Sequence, residues 1–217
     1  MSRLLDLLYP PVCPGCGELP TGGGPLCERC RIGLEGLRSD GSFEELLRVR
    51  MPDFGLVVTP FEYAGPVRAM LLRVKHDGDR RAASCLAGEL AQVLAESGVE
   101  ADAVTAIPMS AEKRRIRGFN QAEVLGRYVA KGLGCSFEPG LLRHRGGVTF
   151  QHTLSREQRA AHAAETILFG GGRAAGRRIV VVDDICTTGA SLLAAVRVLR
   201  EAGAAEVVAA AVAYTGA

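Results

Sequence analysis

The stretch that decides the fold is residues 178–191, which read Arg178-Ile-Val-Val-Val-Asp183-Asp184-Ile-Cys186-Thr187-Thr188-Gly189-Ala190-Ser191. Residues 179–182 form a continuous β-branched run, as in a strand that is buried on both faces of a parallel sheet. Two acids and a small, hydroxyl-rich turn follow. A helix pattern then covers residues 191–202 and ends at Gly203. The order predicts a strand–turn–helix unit.

The turn of this unit has the chemistry of a ligand site. Ligands of open α/β sheets bind at the carboxyl ends of the strands. The N–H groups and hydroxyls of Thr187, Thr188, Gly189, Ala190 and Ser191, with the helix N-terminus, would bind a phosphate. Carboxylates repel phosphate, so the acid pair suits sugar hydroxyls, and a sugar phosphate fits both halves. The alternative is an ordinary capped strand–turn–helix connection.

The chain on either side of this unit alternates between strand and helix patterns. This alternation predicts an α/β fold in which a parallel sheet carries helices on both faces. Strand patterns cover residues 54–61, 103–107, 166–169, 179–182 and 206–214. Helix patterns cover residues 66–74, 81–97, 120–132, 155–165 and 191–202.

Four of the seven cysteines are clustered near the N-terminus. Cys13 and Cys16 form one C-x2-C pair and Cys27 and Cys30 another, a spacing typical of a structural zinc site with four thiolates. A disulfide or a redox motif is the alternative; the first does not fit a chain without a secretion signal, and the second lacks a surrounding βαβ unit. The sequence therefore predicts a small zinc knuckle that depends on its metal to fold.

Composition excludes several classes of protein. With 217 residues, 47% hydrophobic and 23% charged, the chain is not disordered along its length. No apolar run is long enough to span a bilayer, so membrane insertion is not expected and a cytoplasmic protein is the default. Aromatic residues make up only 5%, so a platform for stacking bases is not prominent.

Positive charge is concentrated in one segment. Residues 110–160 contain ten basic and four acidic residues, a balance of +6, while the whole chain carries +2. Such a segment attracts phosphate groups of a small molecule or a nucleic acid. The alternative is a solvated helix face.

The motif of residues 181–191 resembles the phosphoribosyl pyrophosphate (PRPP) motif of type I phosphoribosyltransferases. The resemblance implies that Asp183 and Asp184 hold the ribose hydroxyls. It further implies that residues 187–191 bind the 5′-phosphate.

Further motifs make the chain similar to the ComF (competence protein F, GntX-like) family. They are the first C-x2-C pair with the residues before it and the stretches at 73–78, 113–121 and 151–159. The family couples an N-terminal zinc knuckle to a phosphoribosyltransferase domain and is linked to natural transformation. The resemblance thus implies a zinc-knuckle domain and linker at residues 1–50 and a phosphoribosyltransferase-like domain at residues 51–217.

The resemblance also assigns residues to the remaining parts of the site. Residues 109–118 would be the pyrophosphate loop, with Lys113, Arg114 and Arg115 contacting pyrophosphate or, alternatively, DNA. Arg117 would join Asp183 and Asp184 as a catalytic residue. Gln151 and Arg159 would act on a mobile loop that closes over PRPP.

The function expected from these observations is Mg²⁺-dependent binding of PRPP, with transfer of phosphoribose to an unknown nitrogen acceptor. Zn²⁺ is the expected structural metal, and Mg²⁺ accompanies PRPP. The alternative is a non-catalytic adaptor that binds single-stranded DNA. In either case a competence helicase and other DNA-uptake proteins are the expected partners.

Overall fold

The computed structural model describes residues 12–20, 24–146 and 166–215, and its centre is a parallel β-sheet. The strands are β1 (Val57–Val58), β2 (Phe61–Glu62), β3 (Ala103–Ala106), β4 (Ser136–Phe137), β7 (Arg178–Cys186) and β8 (Glu206–Tyr214). Their order is β1-β8-β7-β3-β4, and the short β2 also pairs with β8. Since β7 lies between β8 and β3, the β-branched run is buried as the sequence predicts.

Helices cover both faces of the sheet. One face carries α3 (Gly65–Asp77), α4 (Arg80–Glu96) and α6 (Gln121–Leu133). The other carries α2 (Ser42–Arg50), α7 (Ala190–Glu201) and an antiparallel hairpin of β5 (Leu142–His144) and β6 (Ile167–Phe169). Short 3-10 turns occur at Pro52–Phe54 and Pro139–Leu141.

Alternate residues of β7 supply the two cores. Val180 and Val182 pack with the α3, α4 and α6 face, whereas Ile179 and Val181 pack with the α2 and α7 face. A strand alternates its side chains between faces, so both sides of β7 must be apolar when helices cover both. The predicted α/β fold is confirmed.

Two predicted elements differ from the structure. The strand predicted over residues 54–61 is broken into a 3-10 turn, β1 and β2, because Gly55 adopts a positive φ of 72° and Pro60 has no N–H to donate. The segment 109–118, predicted as a loop, contains a short helix, α5 (Ala111–Arg117). The Ser110 hydroxyl caps this helix and Gly118 ends it, but its exposed residues leave no apolar periodicity to reveal it.

Some predictions are not tested by the described residues. The helix over residues 155–165 lies outside them. The domain boundary after residue 50 stays a prediction, although α2 already contributes Phe43 and Leu47 to a core of the main sheet. Within the described ranges, none of the helices has both the length and the apolar character to cross a bilayer.

Candidate functional site

The acid pair lies at the carboxyl end of β7, and both carboxyl groups are half-buried. Asp183 accepts a hydrogen bond from the N–H of Asp184 (2.9 Å), and Asp184 accepts one from the N–H of Ile185 (3.0 Å). Burial, and then the negative charge of Asp184, raises the pKa of the Asp183 carboxyl well above its usual range. Two carboxylates held side by side favour a ligand that donates hydrogen bonds to them, such as a sugar diol.

The turn after the acid pair depends on Gly189. This residue has a φ of +76° and precedes α7 directly. A Cβ at this position would lie 2.8 Å from Cε1 of Phe54 and 3.3 Å from Cδ2 of Leu47. The Ala190 N–H donates to the Thr188 hydroxyl at 3.4 Å. The turn is therefore packed from behind by the segment around α2, and its backbone can approach an anion at the N-terminus of α7.

A buried asparagine fixes the neighbouring wall of the site. Asn120 is 2% exposed, and its side chain makes two hydrogen bonds. Nδ2 donates to the carbonyl of Ile107 (2.9 Å), and Oδ1 accepts from the N–H of Ala122 (3.0 Å), which caps α6. The Ile107 N–H in turn donates to the carbonyl of Val182 (2.9 Å). The start of α6 is thereby tied to the carboxyl ends of β3 and β7, beside the acid pair.

Arg117 reaches the acid pair through one intervening residue. Its Nη1 donates to Oε1 of Gln121, and Nε2 of Gln121 donates to Oδ2 of Asp184 at 3.2 Å. Sequence analysis assigned Arg117 a role but gave Gln121 none. Gln121 directly follows the capping Asn120, but no local pattern pairs it with Asp184, 63 positions away.

Cations from two helices act on Lys113. Burial is the main factor that lowers the pKa of Lys113, and the positive charges of Arg117 and Lys75 lower it further. Lys75 belongs to the last turn of α3, whereas the other two belong to α5. Like charges that act on one another in this way favour a multiply charged anion such as pyrophosphate.

The other residues that were predicted to contact the substrate are not shown to join Lys113, Arg117 and Lys75. Arg114 is paired with Glu123 of α6, and Arg115 is exposed on α5. Gln151 and Arg159 lie outside the described residues. A separate surface groove of about 560 Å³ lies between α2, β1 and α4, and no predicted site residue lines it.

Cys186 is the last residue of β7, immediately before the turn, and is 2% exposed. Burial, with the negative charge of Asp183 as the next cause, raises the pKa of its thiol to about 12. A neutral, buried thiol is a poor nucleophile, so Cys186 acts as a small apolar side chain in this core.

The four clustered cysteines come together as a metal centre. The Sγ atoms of Cys13, Cys16, Cys27 and Cys30 all lie within 4.8 Å of one another. Zn–S bonds of about 2.3 Å place tetrahedral sulfurs about 3.8 Å apart. The Cys16 and Cys27 sulfurs are 3.6 Å apart, which fits. The donor set thus suits a structural zinc that leaves no coordination position for a substrate.

One thiol is prepared for metal binding by the backbone. Burial raises the pKa of Cys13, but N–H groups of Cys27, Cys16 and Gly15 outweigh burial and bring the pKa to about 6. The Cys27 N–H lies 3.3 Å from Sγ of Cys13. The thiolate is the form that binds metal, so these N–H groups stabilise the ligand state.

The knuckle packs along α3, from Pro66 to Arg73. Ideal Cβ atoms on Gly15 and Gly33 would contact Pro66 at 3.5 and 3.3 Å, and one on Gly17 would lie 2.8 Å from Nη2 of Arg73. The glycines therefore allow the knuckle and its helix α1 (Glu28–Glu35) to approach α3 closely. Arg73 and Lys75 are separated by one residue on α3, which links the knuckle to the cationic side of the site.

Comparison with known proteins agrees with both parts of the chain. Residues 143–217 match the model of the phosphoribosyl transferase domain, and residues 4–40 match that of the double zinc ribbon domain. These matches support the type I phosphoribosyltransferase superfamily and a structural zinc. Among curated proteins, none is similar enough in sequence to count as a match.

Three solved structures are similar to part of the chain. Glutamine PRPP amidotransferase from B. subtilis is 30% identical over 58% of this chain and 25% of its own, with a TM-score of 0.39. Adenine phosphoribosyltransferase from Thermoanaerobacter pseudethanolicus is 19% identical over 65% of this chain and 84% of its own, with a TM-score of 0.40. TT1426 from Thermus thermophilus is 26% identical over 61% of this chain and 73% of its own, with a TM-score of 0.37. The chain spans about a quarter of the amidotransferase.

Proposed function

We propose that the chain binds PRPP together with Mg²⁺ and transfers its phosphoribosyl group to a nitrogen acceptor. The observation that carries this proposal is the meeting, at one edge of the sheet, of an acid pair, a phosphate-type turn and a group of cations. Each part matches one part of PRPP: the ribose diol, the 5′-phosphate and the pyrophosphate. The match of residues 143–217 to the phosphoribosyl transferase domain supports the same substrate.

Each group has a defined task in this reaction. Asp183 and Asp184 accept hydrogen bonds from the two ribose hydroxyls, and the N–H groups of residues 187–191 bind the 5′-phosphate. Arg117 and Lys113 hold the pyrophosphate as the bond from C1′ to its oxygen breaks and the electron pair leaves with it. A bond from the acceptor nitrogen to C1′ forms, and the proton of that nitrogen passes to solvent.

Two further factors complete the proposed mechanism. Mg²⁺ would neutralise charge on the pyrophosphate, bound mainly by the substrate's own oxygens and by water. The loop that contains Gln151 and Arg159 would close over PRPP and exclude water, which would otherwise capture the oxocarbenium-like sugar. Both belong to the proposal and rest on the family resemblance.

Calorimetric titration of PRPP into the full zinc-loaded chain tests the proposal. We expect Mg²⁺-dependent binding in the micromolar range that is lost in Asp183→Asn/Asp184→Asn. The control Glu96→Gln/Glu201→Gln removes the same charge at exposed positions and should bind as the wild type does. Absence of binding by the folded wild type would overturn the proposal; pyrophosphate release with candidate acceptors then tests turnover.

The resemblance to the ComF family supports a biological setting for this activity. We propose that the protein acts in the cytoplasm in DNA uptake and natural transformation, with a competence helicase and other uptake proteins as partners. The motif order and the coupling of a zinc knuckle to a phosphoribosyltransferase domain support it. Loss of transformation in cells that carry Asp183→Asn/Asp184→Asn, with normal protein levels, is the expected result.

A second candidate function is a non-catalytic adaptor that binds single-stranded DNA. The exposed face of α5 favours it, because Ile116 is 78% exposed beside Arg115. An exposed apolar side chain next to a cation can contact both a base and a phosphate. The two candidate functions depend on different residues, because Arg115 belongs neither to the acid pair nor to the turn of residues 187–191.

Fluorescence anisotropy with a labelled single-stranded oligonucleotide separates the candidates. If α5 binds DNA, Arg115→Glu should weaken DNA binding about tenfold, flatten its salt dependence and leave PRPP binding unchanged. Arg50→Glu reverses an exposed charge on α2 and serves as the control. Equal DNA affinity of Arg115→Glu and the wild type would contradict the adaptor function.

A further inference from the structure

The site has charges of opposite sign on either side of Gln121. Arg117, whose charge also acts on Lys113, lies on one side, and Asp184, with Asp183 beside it, lies on the other. The Gln121 carbonyl oxygen accepts from the guanidinium of Arg117, and its NH₂ group donates to the carboxylate of Asp184 at 3.2 Å. The amide is therefore oriented by charge at both ends.

We propose that Gln121 is a positioning residue that holds Arg117 and Asp184 apart and so keeps both available to substrate. Without the amide, the guanidinium and the carboxylate could close into a direct ion pair, and each would lose the geometry it needs for its part of PRPP. This inference rests on the proposed function for its substrate. The placement of Gln121 itself does not depend on that function.

The backbone holds Gln121 firmly enough for such a role. It is the first residue of α6, and the preceding Asn120 is buried, caps the helix and bonds to the carbonyl of Ile107. The N-terminus of α6 is thus fixed to the end of β3. A side chain that starts from a fixed backbone loses little additional freedom when it binds at both ends.

The proposed role requires a neutral side chain at position 121. A glutamate at this position would still accept from Arg117, but it would place a third carboxylate against Asp183 and Asp184 and, while ionised, could not donate to them. Like charges at this distance disfavour one another, and the net charge next to the substrate's anionic groups would fall by one. Glutamate in the first turn of a helix is otherwise favourable, so the substitution is not expected to unfold α6.

The first test compares PRPP binding by Gln121→Glu and the wild type at two pH values, both proteins being zinc-loaded. At about pH 8 the variant should bind about tenfold more weakly. Toward about pH 5 the difference should shrink, because the ordinary pKa of a glutamate is about 4.3. The introduced carboxyl group is then partly protonated, and its neutral form can donate to Asp184 in place of the amide. Gln92→Glu makes the same change at an exposed glutamine of α4 and should match the wild type at both values.

Gln121→Ala provides a second variant that adds no charge. It should weaken PRPP binding about tenfold at both pH values, because Arg117 and Asp184 are then free to pair with each other. A pH-dependent defect in Gln121→Glu alongside a pH-independent one in Gln121→Ala supports a positioning role. If Gln121 had only a structural role, the two variants would lose PRPP affinity to the same extent at both pH values.

A readout without ligand separates this inference from the proposed function. In the free wild-type protein, the side-chain NH₂ signals of Gln121 in ¹⁵N-resolved spectra should lie apart from those of the exposed Gln92, and Asp184→Asn should move them. If the wild type fails to bind PRPP but Asp184→Asn moves these signals, the proposed function fails and the placement of Gln121 stands. Unchanged PRPP binding by Gln121→Glu at about pH 8, or Gln121 signals that Asp184→Asn leaves in place, overturns the inference.

Discussion

At the scale of single residues, the acid pair shows a conflict between function and stability. Asp183 and Asp184 are adjacent, half-buried carboxyl groups, and burial together with their proximity raises the pKa of Asp183. The folded chain therefore binds a proton at Asp183 more tightly than the unfolded chain does. This contribution to the free energy of unfolding is fully present at low pH and is lost as the pH rises through the raised pKa.

Asp183→Asn should accordingly stabilise the protein at neutral and higher pH. The amide removes the buried like charge and can still accept the hydrogen bond from the Asp184 N–H. A gain of about 1 kcal/mol corresponds to about 2–4 °C in Tm for a chain of this size. Differential scanning calorimetry between about pH 6 and pH 8 should show that the gain diminishes toward low pH, while PRPP binding is lost at every pH. A variant that is less stable than the wild type at about pH 8 would contradict this account.

At the scale of elements, the site is built by three helix termini that meet the ends of β3 and β7. The N-terminus of α7 follows the phosphate-type turn, that of α6 carries Gln121, and the C-terminus of α5 carries Arg117. Asn120 connects two of these features, because its side chain both caps α6 and bonds to the end of β3. The cap therefore has a positional role in addition to its effect on helix stability.

Asn120→Ala tests that positional role against another cap in the same protein. Asp79 caps α4 by accepting from the N–H groups of Arg81 and Ala82, at a helix start that carries no site residue. Loss of either cap should lower the free energy of unfolding by about 1 kcal/mol. Only Asn120→Ala should also weaken PRPP binding, which titration calorimetry on both variants measures. An equal effect of Asp79→Ala on binding would show that general destabilisation is the cause.

At the scale of the whole molecule, the zinc knuckle and the sheet are joined through α3. The knuckle lies against Pro66 and Arg73 of α3, and the charge of Lys75 on the same helix acts on Lys113 of α5. A further link is the ion pair between Arg38 and Glu89 of α4 at 2.9 Å. The metal centre is therefore positioned to affect the cationic side of the site through a helix that both share.

Removal of zinc by a chelator should lower the Tm and weaken PRPP binding without unfolding the sheet. The knuckle has few apolar side chains of its own, so it loses its fold with the metal, and α3 loses the surface that packs against Pro66 and Arg73. Amide hydrogen exchange should increase in residues 24–36 and 65–75 and stay slow in β7 and β8. Elemental analysis before chelation should show one zinc per chain, and this zinc-loaded protein is the sample against which the chelated one is compared. Unchanged exchange in α3 after zinc loss would contradict the coupling.

Features that adjacent residues encode were predictable before any tertiary contact was known. The β-branched run of residues 179–182 predicted the buried central strand, and the alternation of patterns predicted helices on both faces. The spacing of Cys13, Cys16, Cys27 and Cys30 predicted the metal centre. These inferences succeeded because strand periodicity and the C-x2-C turn depend on local geometry alone.

Which of these features face one another depends on the packing of distant segments. Gln121 and Asp184 are 63 positions apart, and nothing in their local patterns pairs them. The helix α5 was missed because all its residues contact solvent, and the broken strand at 54–61 depends on a positive φ at Gly55. The approach of the knuckle to α3 likewise follows from close contacts of glycines with Pro66 and Arg73. Contacts between distant residues arise from how the layers pack, and a local sequence pattern does not specify that packing.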